Sequence, residues 1–345
     1  MGNAPRRKFL QRLSLLSAST LIGSLAPRTW AADLDTALTN AQSLSADQLA
    51  SEEDFWYFIQ QSFTVSSGLI NLNNGGVSPA PRSVQEAMKR YYDYSNEAPT
   101  YYMWRILDQG REPLRKRLAE LAGCSKEEIA INRNSSEGLE TVIFGLTLEK
   151  GDEIVAARQD YPNMVNAYKQ REERDGIKMV WISLELPSED EDYIVRQYVN
   201  AFTSRTKVVH ITHVINWNGQ IIPVKKIADE AHKRGIKVIV DGAQHWLVCD
   251  GDVGSGMSIS FDPTKNLPSS GNGGAIVTND EKLYLYASSY RDNNKPYFYD
   301  AGSNSKMSEQ DCAQIMVRAK YQDVLDLGES LNIQNGNVTE ENGVL

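Results

Sequence analysis

Val238-Ile-Val-Asp-Gly-Ala-Gln244 is followed, 24 positions after its carboxylate, by Lys265 within Ser260-Phe-Asp-Pro-Thr-Lys-Asn266. The apolar run from Val238 to Val240 reads as a buried strand that ends on Asp241. Met257-Ser-Ile-Ser-Phe261 reads as a second strand shortly before Lys265. A carboxylate at one strand end and an amine at another, facing one crevice, are what pyridoxal 5'-phosphate (PLP) chemistry requires. The amine forms a Schiff base, and the carboxylate keeps the pyridine nitrogen protonated so that the ring accepts electrons from a broken bond at the substrate α-carbon. Asp241 alone also reads as a cap or turn residue. The order and setting of the pair carry the functional reading.

Working outward, short apolar runs alternate with helical patterns. Ser83 to Tyr94, Glu112 to Leu121, Ser135 to Leu146, Asn163 to Arg174 and Val224 to Arg234 read as helices, the last stopped by Gly235. Glu128 to Asn132, Asp152 to Ala157, Lys178 to Ile182, Thr206 to Thr212, Ile236 to Val240 and Ala275 to Thr278 read as strands. This alternation predicts an α/β fold with a mainly parallel sheet and helices on both faces. In such a sheet the ligand crevice lies beyond the carboxyl ends of the strands, where Asp241 falls.

Composition narrows the classes. The 345 residues are 41% hydrophobic and 23% charged, as in globular proteins, with a net charge of −9. An acidic chain is poorly suited to a nucleic-acid partner, because phosphates must be met by Lys and Arg. Three cysteines (Cys124, Cys249, Cys312) without close spacing make no disulfide framework and no metal motif. His210 and His213 lack the helical spacing of a metal-binding pair, and no metal site is expected.

The N-terminus carries Arg6-Arg-Lys-Phe-Leu10, an apolar stretch from Leu13 to Leu25, and small residues near Thr29-Trp-Ala31. Residues 1–31 therefore read as a signal peptide of the twin-arginine type, with an ordinary secretory signal or an amphipathic helix as alternatives. That reading implies an exported or periplasmic protein with no membrane association after signal removal. The expected division is 1–31 signal, 32–69 N-terminal segment, 70–320 PLP-binding large domain and 321–345 short polar tail.

Several polar groups suit the cofactor. Asn134-Ser-Ser-Glu137 stands where a strand turns into a helix, so free amides and the Ser135 and Ser136 hydroxyls can hold a phosphate. The same letters also read as a capping box. Tyr161, in Asp160-Tyr-Pro-Asn163, can lie flat on the pyridine ring, or be a packed surface tyrosine. Asn216 and Gln244 can hydrogen-bond the ring hydroxyl. Gly271-Asn-Gly-Gly274 lacks nucleotide-loop spacing and reads as a tight turn opening a strand.

Residues from about 70 to 246 resemble the class V aminotransferase family, in its branch around isopenicillin N epimerase. The segments that carry this are Asn71-Leu-Asn-Asn-Gly-Gly76, Arg133-Asn-Ser-Ser-Glu137, Asp160-Tyr-Pro-Asn-Met164, Thr212-His-Val-Ile-Asn216 and Val240-Asp-Gly-Ala-Gln244. From about 251 to 320 the chain resembles the DegT/DnrJ/EryC1/StrS sugar aminotransferases, through Gly251-Asp-Val-Gly254, Ser260-Phe-Asp-Pro-Thr-Lys-Asn-Leu267, Gly273-Gly274 and Gly302-Ser-Asn-Ser-Lys-Met307. Both resemblances imply the PLP fold type I.

They further imply Lys265 as the Schiff-base lysine, Asp241 as the pyridinium partner, Gln244 beside the ring hydroxyl and Ser260 as a phosphate ligand. Asn304 matches an asparagine that reaches the neighbouring subunit's phosphate, which implies a homodimer. Tyr161 stands where class V enzymes commonly place a stacking His, and Thr264 stands where they carry His before the lysine. Both families continue for roughly another hundred residues into a small domain, so that domain is expected to be truncated or absent. The expected activity is an aminotransferase-type reaction on an amino acid or amino sugar through Lys265. An epimerase is the first alternative and a non-catalytic PLP-binding remnant the second. Cysteine desulfuration ranks lower, since it needs a mobile nucleophilic cysteine.

Overall fold

The computed structural model describes residues 77–244 and 255–263 without interruption and most positions from 265 to 319, with scattered positions between 53 and 71. Residues 1–31, where a signal peptide is expected, the Gly251–Gly254 match, Thr264, Cys249 and the 321–345 tail fall outside the described residues.

Seven strands form one sheet: β1 (Ile129–Asn132), β2 (Glu153–Ala157), β3 (Lys178–Ile182), β4 (Thr206–Thr212), β5 (Lys237–Gly242), β6 (Gly256–Ser260) and β7 (Gly274–Val277). Their spatial order is β1-β7-β6-β5-β4-β2-β3. The β2–β3, β2–β4, β4–β5 and β5–β6 pairs are parallel, and β7 runs antiparallel to both its neighbours. The interleaved helices are α1 (Arg82–Glu97), α2 (Arg111–Ala122), α3 (Ser135–Gly145), α4 (Pro162–Asp175), α5 (Glu191–Asn200), α6 (Val224–His232), α7 (Glu281–Tyr290) and α8 (Glu309–Lys320). Helices α5, α7 and α8 are additions to those read from sequence. Asp190 and Asp280 cap the first two by accepting backbone N–H bonds.

β2 is buried along its whole length and β4 at every position but Lys207, which is why they read as continuous apolar runs rather than alternating ones. Alternate residues still sort to two cores. Val209, Ile211, Val238 and Val240 pack with α2, α5, α6 and α8; Val208 and Ile239 pack with α3, α4 and Tyr168 on the other face. Since Asp241 is two residues on from Ile239 along β5, its side chain belongs to the α3/α4 face.

Helix α3 sits unusually close to the sheet. A methyl group on Gly138 would lie 2.5 Å from Ser258 Oγ, and one on Gly274 would lie 2.6 Å from the Asn134 carbonyl carbon. Glycine at these two positions lets the N-terminus of α3 rest against β6 and β7. The helix is capped by Asn134, whose Oδ1 accepts the Glu137 N–H at 2.8 Å. The capping reading of this segment holds with Asn134 as the cap, and both serines lie inside the first turn. Asn134→Ala is expected to cost about 1 kcal/mol of stability, read as a lower urea midpoint at unchanged slope.

Candidate active site

Strand register assembles the site. Asp241 pairs with Thr212 of β4 on one side and Ser258 of β6 on the other. Ser258 Oγ donates to the Ser135 carbonyl at 3.0 Å, tying β6 to the first turn of α3. Thr212 N–H donates to Asp160 Oδ1 at 3.2 Å, and Ala157 N–H donates to Asp160 Oδ2 at 2.8 Å. Asp160 thus fixes the turn between β2 and α4 that carries Tyr161 against the end of β4. Three neighbouring strand ends and two helix starts converge around the Asp241 carboxyl.

That carboxyl is only 3% exposed and accepts the Ala243 N–H at 3.0 Å. Burial raises its pKa, while the nearby His210 and Lys265 act in the opposite direction. Lys265 stands in a turn closed by its own N–H to the Asp262 carbonyl at 2.9 Å. Partial burial lowers its ammonium pKa, offset in part by Asp262 and Asp241. Each of Lys265 and Asp241 thus favours the charged form of the other, a smaller effect than burial.

Ser135 and Ser136 open α3, and the half-buried Gln244 follows the end of β5. Ser260 is buried, and its Oγ accepts the Asp262 N–H at 3.3 Å, which makes it first of all a turn residue. Tyr161 is 41% exposed at the N-cap of α4. Asn216 is exposed in the turn after β4, where Val214 bridges Ile221. Asn304 is exposed, between Ser303 and Ser305, which both donate to Glu137 of α3. The segment bearing Asn304 is therefore docked on the same helix whose first turn holds Ser135 and Ser136.

Two buried groups escaped the sequence reading. The sequence marks Asp160 only as a neighbour of Tyr161, and His210 only as a histidine without metal-pair spacing. Nothing local marks either one, because their partners lie on other elements. Burial lowers the His210 imidazole from 6.5 to about 4 and raises the Asp160 carboxyl to about 6. A histidine with a depressed folded pKa contributes stability that is present above pH 6.5 and lost as pH falls through about 4. The raised Asp160 has the opposite sign, its contribution being present below about 3.8 and lost as pH rises through about 6. The two oppose each other in the intact protein, and single substitutions separate them. The stability difference between wild type and His210→Phe is expected to grow in favour of wild type from pH 4 to 6.5, by roughly 3 kcal/mol. Urea unfolding across that range checks this, and a flat difference contradicts it.

The family model described as aminotransferase class-V matches residues 70–279. The chain belongs to the class V aminotransferase family. Among curated relatives it is 29% identical over 206 residues to isopenicillin N epimerase of Streptomyces clavuligerus, covering 57% of this chain and 52% of that protein. It is 26% identical over 183 residues to a probable cysteine desulfurase of Synechocystis, covering 51% and 43%. The chain thus spans about half the length of the curated relatives it matches. Among solved structures, the fold is similar to a lysine mutant of C-DES with glycine covalently linked to its PLP cofactor. That match has a TM-score of 0.65 and 19% identity, covering 77% of this chain and 74% of that one. Cysteine desulfurase CsdA of Escherichia coli gives 0.64 and 17%, covering 79% and 72%.

The fold is that of the PLP fold-type-I enzymes, and family and fold make pyridoxal phosphate the cofactor. The donor set fits it. A buried carboxylate with raised pKa suits a pyridinium, a helix start packed flush on the sheet suits a phosphate, and a half-buried amine of lowered pKa suits an aldehyde.

Proposed function

We propose that this chain is a PLP-dependent aminotransferase-type enzyme that moves the α-proton of an amino acid or amino sugar. The buried Asp241 carboxyl at the end of β5, tied through the β5–β6 register and Ser258 to the first turn of α3, carries the reading, with Lys265 favouring its charged form. When bound, PLP supplies an aldehyde that links to amines and a ring that accepts electrons from the α-carbon. Asp241 would hold a positive charge on the pyridine nitrogen. Ser135, Ser136 and the first amides of α3 would hold the phosphate, with Ser260 at the end of β6. Tyr161 would stack on the ring, and Gln244 and Asn216 would hydrogen-bond the ring hydroxyl. Lys265, its amine less basic than usual, takes and returns the α-proton.

Epimerisation is the second reading, favoured by the similarity to isopenicillin N epimerase. It needs the same proton removal with return on the opposite face. Desulfuration is disfavoured for the described cysteines, since burial raises the thiol of Cys124 to about 11 and that of Cys312 to about 12. Neither supplies a thiolate at neutral pH. Incubating the purified protein with PLP and a panel of amino acids and amino sugars in D2O tests the reading. Deuterium at the α-carbon with a carbonyl product indicates transamination; deuterium with inverted configuration indicates epimerisation. Alanine from cysteine, with sulfide released once a thiol reductant is added, and no exchange elsewhere, would overturn both. Absence of any reaction from a protein that retains PLP would leave a binding remnant.

Export by a twin-arginine signal belongs to the same reading, supported by Arg6-Arg7 and the apolar stretch after them. A second element is a homodimer in which Asn304 serves the partner's phosphate, as the resemblance to sugar aminotransferases at 251–320 implies. Ligand that binds only the dimer stabilises it by mass action. Sedimentation is expected to show a dimer at saturating PLP, and Asn304→Ala is expected to loosen both dimer and cofactor. A monomer that keeps PLP tightly rules the shared site out.

A further inference from the structure

His210 lies in the middle of β4, fully buried, two residues before the Thr212 that pairs with Asp241. Two strand residues return a side chain to the same face, so His210 and Asp241 are diagonal neighbours across the β4–β5 pair. The imidazole packs edge-on against Tyr168 of α4, with ring centroids 5.4 Å apart and planes at 79°. Tyr168 is also fully buried, and its hydroxyl lies 3.2 Å from His210 Nδ1.

The proton on this pair can be assigned. If Nδ1–H donated to the phenol oxygen, the buried phenol proton and Nε2 would both be left without partners. If the phenol O–H donates to Nδ1, only Nε2–H is left. The second arrangement leaves fewer orphans, and Nε2 is indeed a buried atom with no hydrogen-bond partner among the described residues. An orphaned buried donor costs roughly 1–3 kcal/mol, so its retention points to a use. The nearby acceptor is the Asp241 carboxylate, the diagonal neighbour on the same face of the sheet.

We propose that Tyr168 and His210 form a positioning pair for Asp241. The Tyr168 hydroxyl locks the imidazole in its Nε2–H form, and the dipole of that N–H, on the same face of the sheet as Asp241, favours the charged carboxylate beside the cofactor's pyridine nitrogen. The imidazole serves as a neutral dipole, not as an ion, since burial keeps it uncharged at neutral pH. The other titratable or charged groups around it are Asp160 from the β2–α4 turn, Arg171 from α4, Asp241 from β5 and Lys265 beyond β6. Arg171 is engaged with Asp175 and with the Ile143 and Leu146 carbonyls. This inference rests on Asp241 being the pyridine partner.

The test uses the full chain and PLP itself. Equilibrium dialysis gives PLP affinity, absorbance of bound PLP is titrated against pH, and melting of the PLP-free protein reports structure alone. His210→Phe is expected to weaken PLP about tenfold and to move the absorbance midpoint by about one pH unit, because the neutral donor is gone. His210→Gln, which keeps an N–H, is expected to restore most of both. Tyr168→Phe is expected to move the midpoint in the same direction as His210→Phe, by freeing the tautomer. A purely structural role would lower the melting temperature of all three variants and leave the midpoint in place, which overturns the inference. Should His210→Phe fail to fold, the contrast between His210→Gln and Tyr168→Phe decides alone. Asp241→Asn separates the two layers. If it leaves the midpoint unmoved, the pyridine-partner reading falls and takes this inference with it; if it moves the midpoint while Tyr168→Phe and His210→Phe do not, this inference alone fails.

Discussion

Lys265→Ala is expected to abolish covalent retention of PLP. In wild type, borohydride reduction should fix one cofactor per chain, and in the variant it should fix none, even where PLP still binds through α3 and Asp241. The same substitution removes the base at the reacting carbon, so α-proton exchange should fall by roughly 10²–10⁴-fold. Among the described residues Lys265 is the lysine whose ammonium is held below its ordinary value by burial and which senses the Asp241 charge. Stoichiometric labelling of Lys265→Ala would transfer the role to another amine and remove the basis of the proposed mechanism.

Asp241→Asn is expected to leave the fold and the covalent link intact and to slow α-proton exchange by roughly a thousandfold, about 4 kcal/mol at ~1.4 kcal/mol per tenfold. A neutral pyridine is a poor electron sink, and the amide has nearly the same volume as the carboxylate it replaces. Burial makes the charged carboxylate costly in the PLP-free protein, since its pKa is raised at 3% exposure. The variant should therefore match or exceed wild type in PLP-free stability at neutral pH while losing activity. Exchange at the wild-type rate would end the assignment of Asp241, and a collapsed fold would show that its main duty is structural.

Local chemistry in the sequence was enough for the elements and for two anchor residues. The run Val238–Val240 announces a buried strand because apolar β-prone residues have nowhere else to go, and Gly235 with its φ of +69° announces a helix stop. Asp241 and Lys265 were legible because each sits at the end of such a run. What sequence could not order was the sheet: that β7 turns back between β1 and β6, placing Gly274 against Asn134, depends on pairings far apart in the chain.

The cap of α3 shows the same limit at short range. Asn134, Ser135 and Ser136 are all good cap residues, and only the backbone path chose Asn134. His210 shows it at long range. Its sequence neighbours say strand, and its partners Tyr168 and Asp241 lie 42 residues before and 31 after it, brought alongside by α4 packing and by the β4–β5 register. Periodicity and residue chemistry act between near neighbours and so are written in the chain itself. Burial, proton location and charge coupling arise only where distant segments meet, and those the tertiary structure alone decided.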